Sequence, residues 1–139
     1  MYKIGVVGAG HLGKIHLKIL QNAPFVNLVG FFDSDPKVRE EIKSKFNIKS
    51  FDNYQELIDS SDIVDIVTPT LSHFNCAKEA LKSNKHVFIE KPVTHTVEEV
   101  KKLIKLAKIS GKKVQVGHVE RFNPAFTEAQ KLINQPRFI

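Results

Sequence analysis

The sequence has 139 residues, 42% hydrophobic and 26% charged, enough for one compact domain with a real core and too few for two. Its one cysteine, Cys76, excludes an internal disulfide and fits a reducing, cytoplasmic setting; no apolar run reaches the length of a membrane span, and the N-terminal run is too short and glycine-broken for a signal peptide. A formal charge of +6 suits acidic partners, but Lys101, Lys102, Lys105 and Lys108 fall on the polar face of one amphipathic helix, and no helix-turn-helix or aromatic–basic pattern points to nucleic acid.

In chain order, a β-prone run over 2–7 leads into Gly8-Ala9-Gly10-His11-Leu12-Gly13 and a helical segment over 11–22 (Leu12, Ile15, His16, Ile19, Leu20) that stops before Pro24. A G-x-G-x-x-G turn between strand and helix is the dinucleotide-binding pattern. Gly8 permits the tight turn, Gly10 has no Cβ to block a pyrophosphate, and Gly13 lets the helix pack on the strand. With His11 and Leu12 at the helix start, where unpaired N–H groups favour an anion, these are the expected phosphate-binding residues.

A second strand over 26–33 ends in Asp33, about twenty residues past Gly13, at the spacing of the carboxylate that binds a ribose hydroxyl. Such a carboxylate repels a 2′-phosphate, so Asp33 with Ser34 and Asp35 favours NAD over NADP; Lys37 and Arg39 keep NADP open. The alternative for Asp33 and Asp35 is a turn before Pro36. A helix over 36–46 follows, with Asp35 as cap and Pro36 at its first position. A short strand over 49–51 and a small helix over 53–60, capped by Asp52, are expected next. Residues 63–67 form an apolar strand suited to burial on both faces, broken by Asp65, which must pair with a neighbour or reach an edge.

A helix over 71–83 has Ala77, Ala80 and Leu81 as its inner face and carries Cys76 as a packed small hydrophobe. A strand follows over 86–90. Thr96-Val97-Glu98-Glu99 is a capping box, and the helix after it presents Val97, Val100, Leu103, Ile104 and Ala107 before Gly111 ends it. A strand over 113–117 precedes Asn123-Pro124, which starts a last helix of about ten residues, and Arg137-Phe138-Ile139 reads as the start of another strand. The alternation predicts an α/β fold: a doubly wound parallel sheet of the Rossmann type, helices on both faces, six strands in the order 3-2-1-4-5-6, and ligand across the strand C-termini at the switch between the first and fourth.

The unusual residues follow strand ends on that edge: Thr68-Pro69-Thr70, Glu90-Lys91-Pro92, and His118 to Pro124. Lys91 is a cation able to stabilise an alkoxide or shuttle a proton, or else half of a solvated Glu–Lys pair. His118 and Arg121 are candidate substrate residues, or a salt-bridge cluster around Glu120. No metal site is expected.

Gly8-x-Gly10-x-x-Gly13, Thr68-Pro69-x-x-x-His73, Glu90-Lys91-Pro92 and Gly117-His118-x-x-Arg121-Phe122-x-Pro124 together resemble the N-terminal domain of the Gfo/Idh/MocA oxidoreductases, over essentially the whole chain. The resemblance implies NAD(P) held by the glycine turn and Asp33, with Thr68, Pro69 and Glu90 along the nicotinamide half. It places Lys91 beside the reacting carbon and His73 on the cofactor side. The run from Gly117 to Pro124 is similar to members that oxidise the 3-hydroxyl of UDP-N-acetylglucosamine-type sugars. Family members continue into a C-terminal substrate domain with an Asp/His pair, whereas this chain stops at Ile139. The expectation is thus an NAD-dependent dehydrogenase domain for a sugar or nucleotide-sugar alcohol that alone binds cofactor without turnover, the full-length protein being a homo-oligomer. The competing readings are a non-catalytic NAD-binding module or redox sensor and, less suited to the glycine spacing, a Rossmann-like methyltransferase.

Overall fold

The computed structural model describes residues 1–133; the strand expected at Arg137-Phe138-Ile139 lies outside them. The elements are β1 (Tyr2–Val7), α1 (His11–Gln21), β2 (Val26–Phe32), α2 (Pro36–Phe46), α3 (Tyr54–Ser60), β3 (Ile63–Ile66), α4 (Thr70–Lys82), β4 (His86–Glu90), α5 (Val97–Ser110), β5 (Val114–Gly117), a 3-10 turn (Val119–Phe122) and α6 (Pro124–Leu132). The five strands pair in parallel in the order β2-β1-β3-β4-β5. A strand's side chains alternate between faces, so Val6 and Val7, or Ile66 and Val67, enter opposite cores. Val6, Ala9, Leu17, Phe31, Ile42 and Val67 form one core, and Val7, Leu57, Ile66, Ala77, Leu81, Ile89 and Leu103 belong to the other. Helices on both faces of one parallel sheet are the expected Rossmann arrangement.

The expected third strand is reduced to one bridge, Phe31 with Ser50. The Phe31 N–H donates to the Lys49 carbonyl at 3.0 Å and the Phe51 N–H to the Phe31 carbonyl at 2.8 Å. Phe51 then turns into the core, and α3 begins three residues later. Asn53, rather than Asp52, caps α3: its side chain accepts from the Glu56 N–H at 2.9 Å and donates to the Glu56 carboxylate at 2.7 Å. A neighbour one residue early lacks that reach. The Asp35, Thr96 and Asn123 caps, and the left-handed Gly111 closing α5, stand as the sequence suggests.

Two apolar stripes are less buried than their spacing predicts. On α1, Gly13 and Leu17 are buried while Leu12, Ile15 and Ile19 are exposed; on α5, Leu103 is buried while Val97 and Ile104 are exposed. Periodicity marks a stripe without saying how far around the helix the sheet reaches. Beside α1, the sheet leaves an apolar groove of about 510 Å³ floored by Ile4, Ile63, Val87 and Phe88 and walled by Ile19 and Leu20.

Candidate functional site

The C-terminal ends of β1, β3 and β4 bring Gly8, Thr68 and Glu90 to one edge of the sheet, around a cavity of about 530 Å³. The three glycines of the first turn differ in what they require. Gly8 holds φ +95, and a Cβ there would lie 2.7 Å from the Val67 carbonyl oxygen. At Gly13 a Cβ would overlap the carbonyl oxygen of Gly8. Gly10 has an ordinary φ of −66, and its Cβ would meet nothing within 4 Å. Folding therefore demands glycine at 8 and 13, whereas at 10 a side chain would enter open space beside the cavity.

Helix capping follows the same division. α2, α3, α5 and α6 start with a side chain bonded to a first-turn N–H. α1 and α4 have no side-chain cap and no acidic residue in the first turn, and Gly10, His11, Leu12, Thr70 and Ser72 from their starts all line the cavity. Two helix N-termini thus present unpaired N–H groups and positive dipole ends to one space.

Asp33, just past β2, is oriented by the chain. Its Oδ2 accepts from the Ala9 N–H at 2.7 Å and its Oδ1 from the Asp35 N–H at 2.9 Å. Each carboxylate oxygen has two lone pairs, so acceptor capacity remains toward the cavity. Asp33 and Ser34 line it. Arg39 is occupied nearby, donating to the Asp33 carbonyl at 2.8 Å with its guanidinium 5.7 Å from the Phe32 ring centre. Phe32 in turn stacks with Tyr54, their centres 6.2 Å apart, on the cavity wall. Burial raises both the Tyr54 phenol and the Cys76 thiol, the latter to about 11. A thiol so shifted is protonated near neutrality, which fits Cys76 as wall rather than nucleophile.

At the far end stand Thr68, Pro69, His73, Glu90 and Lys91. The Thr68 hydroxyl is buried near the Cys76 thiol without a hydrogen bond of good geometry. His73 is almost wholly buried and contacts two carbonyl oxygens, Thr68 at 2.8 Å through Nε2 and Pro92 at 2.9 Å through Nδ1. It braces the two loops while also lining the cavity. Lys91 is exposed on the rim and lines both this cavity and a smaller one of about 230 Å³ shared with His118, Glu120 and Arg121. The Glu120 carboxylate accepts from the Asn123 side chain at 2.9 Å.

Glu90 and Asp65 are both buried. The Glu90 Oε2 accepts from the Lys91 N–H at 3.1 Å, and its Oε1 lies 3.4 Å from His16 Nε2. His16 Nδ1 lies 2.8 Å from Asp65 Oδ2, while Asp65 Oδ1 has no partner. Gly117 completes the seat, because a Cβ there would come within 2.7 Å of Glu90 Oε1. The hydrogen bond that His16 donates to the Asp65 carboxylate is the main cause raising His16 above its ordinary value, and burial pushes the Asp65 carboxyl upward. A lone carboxylate in an apolar strand shows in the sequence; its partner, 49 residues away on α1, does not.

The sequence model of the Gfo/Idh/MocA oxidoreductases, described as an oxidoreductase family with an NAD-binding Rossmann fold, matches residues 2–118. The UDP-N-acetylglucosamine 3-dehydrogenase of Acidithiobacillus ferrooxidans is 33% identical over 138 residues, 99% of this chain and 44% of that protein. The NAD(+)-dependent scyllo-inositol 2-dehydrogenase of Bacillus subtilis is 34% identical over 136 residues, 95% of this chain and 40% of its own. Among solved structures, the Lactobacillus casei scyllo-inositol dehydrogenase with bound NAD(H) and scyllo-inositol superposes with a TM-score of 0.87 at 28% identity, over 97% of this chain and 41% of that one. The chain spans less than half the length of these curated relatives.

Proposed function

We propose, on the premise that the chain belongs to the Gfo/Idh/MocA oxidoreductase family, that its cavity holds NAD and that it serves hydride transfer from a secondary alcohol of a sugar or nucleotide sugar. The observation that carries this is the clear space at Gly10 beside two uncapped helix starts. A bound dinucleotide fits the donor set: N–H groups for the pyrophosphate, Asp33 for a ribose, and the unpartnered Thr68 hydroxyl for a polar group at the other end. Asp33 and Glu90 end strands three places apart, roughly 14 Å at the spacing of neighbouring strands, the scale of an extended dinucleotide. A cytoplasmic location is supported by the free Cys76, and among the described residues no helix is long and apolar enough to cross a membrane. Exposed Ile15 and Ile19 on α1 support contact with further protein, as in a homo-oligomer.

The nicotinamide supplies the hydride acceptor when bound. The chain's own residues position and polarise. The α1 start neutralises phosphate charge, Asp33 selects the unphosphorylated ribose, and the Lys91 ammonium, on the rim between the two cavities, offers a positive charge to an alcohol oxygen losing its proton. His118 and Arg121, across the smaller cavity from Lys91, are the proposed sugar contacts.

Fluorescence titration tests the cofactor reading: NADH should bind more tightly than NADPH, and Asp33→Ala should reduce that preference roughly tenfold, one lost charge-assisted hydrogen bond plus one lost repulsion. Equal affinities in the unmutated chain would remove Asp33 from the ribose site. Catalysis needs the alcohol carbon about 3–3.5 Å from the acceptor, and such positioning accounts for roughly 7–11 kcal/mol of barrier lowering. Residues 1–139 alone should therefore bind NADH without oxidising sugars. In a polypeptide carrying the family's remaining length, Lys91→Ala should lower kcat roughly a hundredfold with little change in cofactor affinity. Steady-state rates decide it, and normal kcat in that variant would end the role given to Lys91.

A further inference from the structure

Behind the Glu90-Lys91 turn lies a cluster that cofactor binding and hydride transfer do not by themselves require. Two buried carboxylates, from β3 and β4, face the two nitrogens of one imidazole on α1, at 2.8 and 3.4 Å. A neutral imidazole has one N–H and one lone pair, so it satisfies one carboxylate and turns a lone pair toward the other. Imidazolium donates to both. The cluster therefore has two arrangements: a protonated one with net charge −1 in which Glu90 is held, and a deprotonated one with net charge −2 in which one carboxylate loses its donor. The longer contact, to Glu90, is the weaker and goes first.

Among the described residues, no other charged side chain is paired with the cluster. On α1 itself, Lys14 is paired with Glu41 of α2 at 3.1 Å, and Lys18 lies over the Phe46 ring. From β4, the Phe88 ring centre is 6.1 Å from that of His16. Tyr2, His86 and Lys113 line the same apolar groove as His16 and Asp65, but His86 is engaged there by the Lys113 N–H at 3.1 Å. Glu90 is the point of exchange with the main cavity, because it lines that cavity and its second oxygen fixes the Lys91 N–H.

We propose that His16 and Asp65 are positioning residues which, through Glu90, set the negative charge at the Lys91 end of the cavity and so tune the preference between oxidised and reduced cofactor with pH. The inference rests on the cofactor reading above. An oxidised nicotinamide ring is a cation and a reduced one is neutral, so an added negative charge at that end favours NAD⁺ over NADH. Groups near the pyrophosphate, such as His11, act on both forms alike and cancel in the ratio.

The test measures dissociation constants of NAD⁺ and NADH by calorimetry on the 139-residue chain, from about pH 6.5 to about pH 9. The ratio Kd(NAD⁺)/Kd(NADH) should fall roughly tenfold as His16 loses its proton, the effect of one charge across a few ångströms of partly solvated protein. In His16→Gln the ratio should be flat. Asp65→Asn keeps the shape and removes the charge, so the inflection should move to lower pH, and the His16 ring resonance followed by NMR without cofactor should move with it. A His16→Gln chain that keeps the wild-type slope overturns the proposal, as does a His16 resonance that titrates identically in Asp65→Asn. Binding with a pH-independent ratio in the unmutated chain overturns it while leaving the cofactor reading intact. Failure of the folded chain to bind NADH at any pH overturns both.

Discussion

Gly10→Val should leave the chain folded and weaken NADH binding by roughly a hundredfold or more, about 3 kcal/mol. The two halves of that result have separate causes. Gly10 has φ −66 and ψ −160, which a side chain tolerates, and a Cβ there touches nothing in the chain. Thermal stability should change by less than about 1 kcal/mol, as for a surface substitution. The added methyl groups point into the space bordered by the α1 start, where a pyrophosphate must approach the N–H groups closely. Titration with NADH alongside a melting curve reads both. Undiminished affinity in a folded Gly10→Val chain would place the cofactor elsewhere.

Gly13→Ala is expected to give the converse. Its Cβ would overlap the carbonyl oxygen of Gly8, which is backbone and cannot swing aside. Relief requires α1 to lift from β1, loosening Leu17 and Ala9 from a core they share with Val6 and Phe31. A cost of about 3 kcal/mol is expected, in the upper range for overpacking, with a fall in Tm of roughly 10 °C. Chemical denaturation gives the direct measure. A Gly13→Ala chain as stable as the parent would mean that the helix rests less closely on the strand than described.

That contrast marks how far the sequence could be read. Three glycines at fixed spacing announce the turn, yet spacing cannot separate the two required by packing from the one whose side-chain space is open; only the positions of Val67 and Gly8 do so. Asp33 and Lys91 were visible because each follows a strand whose end lies on the ligand edge of the sheet. His73 was visible as a residue and opaque in role, since its acceptors, the carbonyls of Thr68 and Pro92, belong to loops whose separation is set by the sheet. Local signals fared best where the physics is local: the Thr96 capping box, the Asp35-Pro36 start and the Gly111 stop each need only a few neighbouring residues. The expected strand over 49–51 failed for the opposite reason. Whether those residues pair for one position or several depends on β2, a long-range partner, where Phe31 alone bridges to Ser50.

The place of β1 between β2 and β3 also bears on how the sheet is assembled. β1 has both its lateral partners downstream, with Ile4 aligned to Leu28 on one side and to Ile63 on the other. A nascent chain can add β2 early, but the opposite edge of β1 stays unpaired until residues 63–66 have emerged, and contacts of that sequence separation are slow to form. The Gly8 turn is seated against the Val67 backbone. Although the glycine motif is translated early relative to its partners, the concave surface it borders comes into being only after about fifty further residues, through Val67, have emerged.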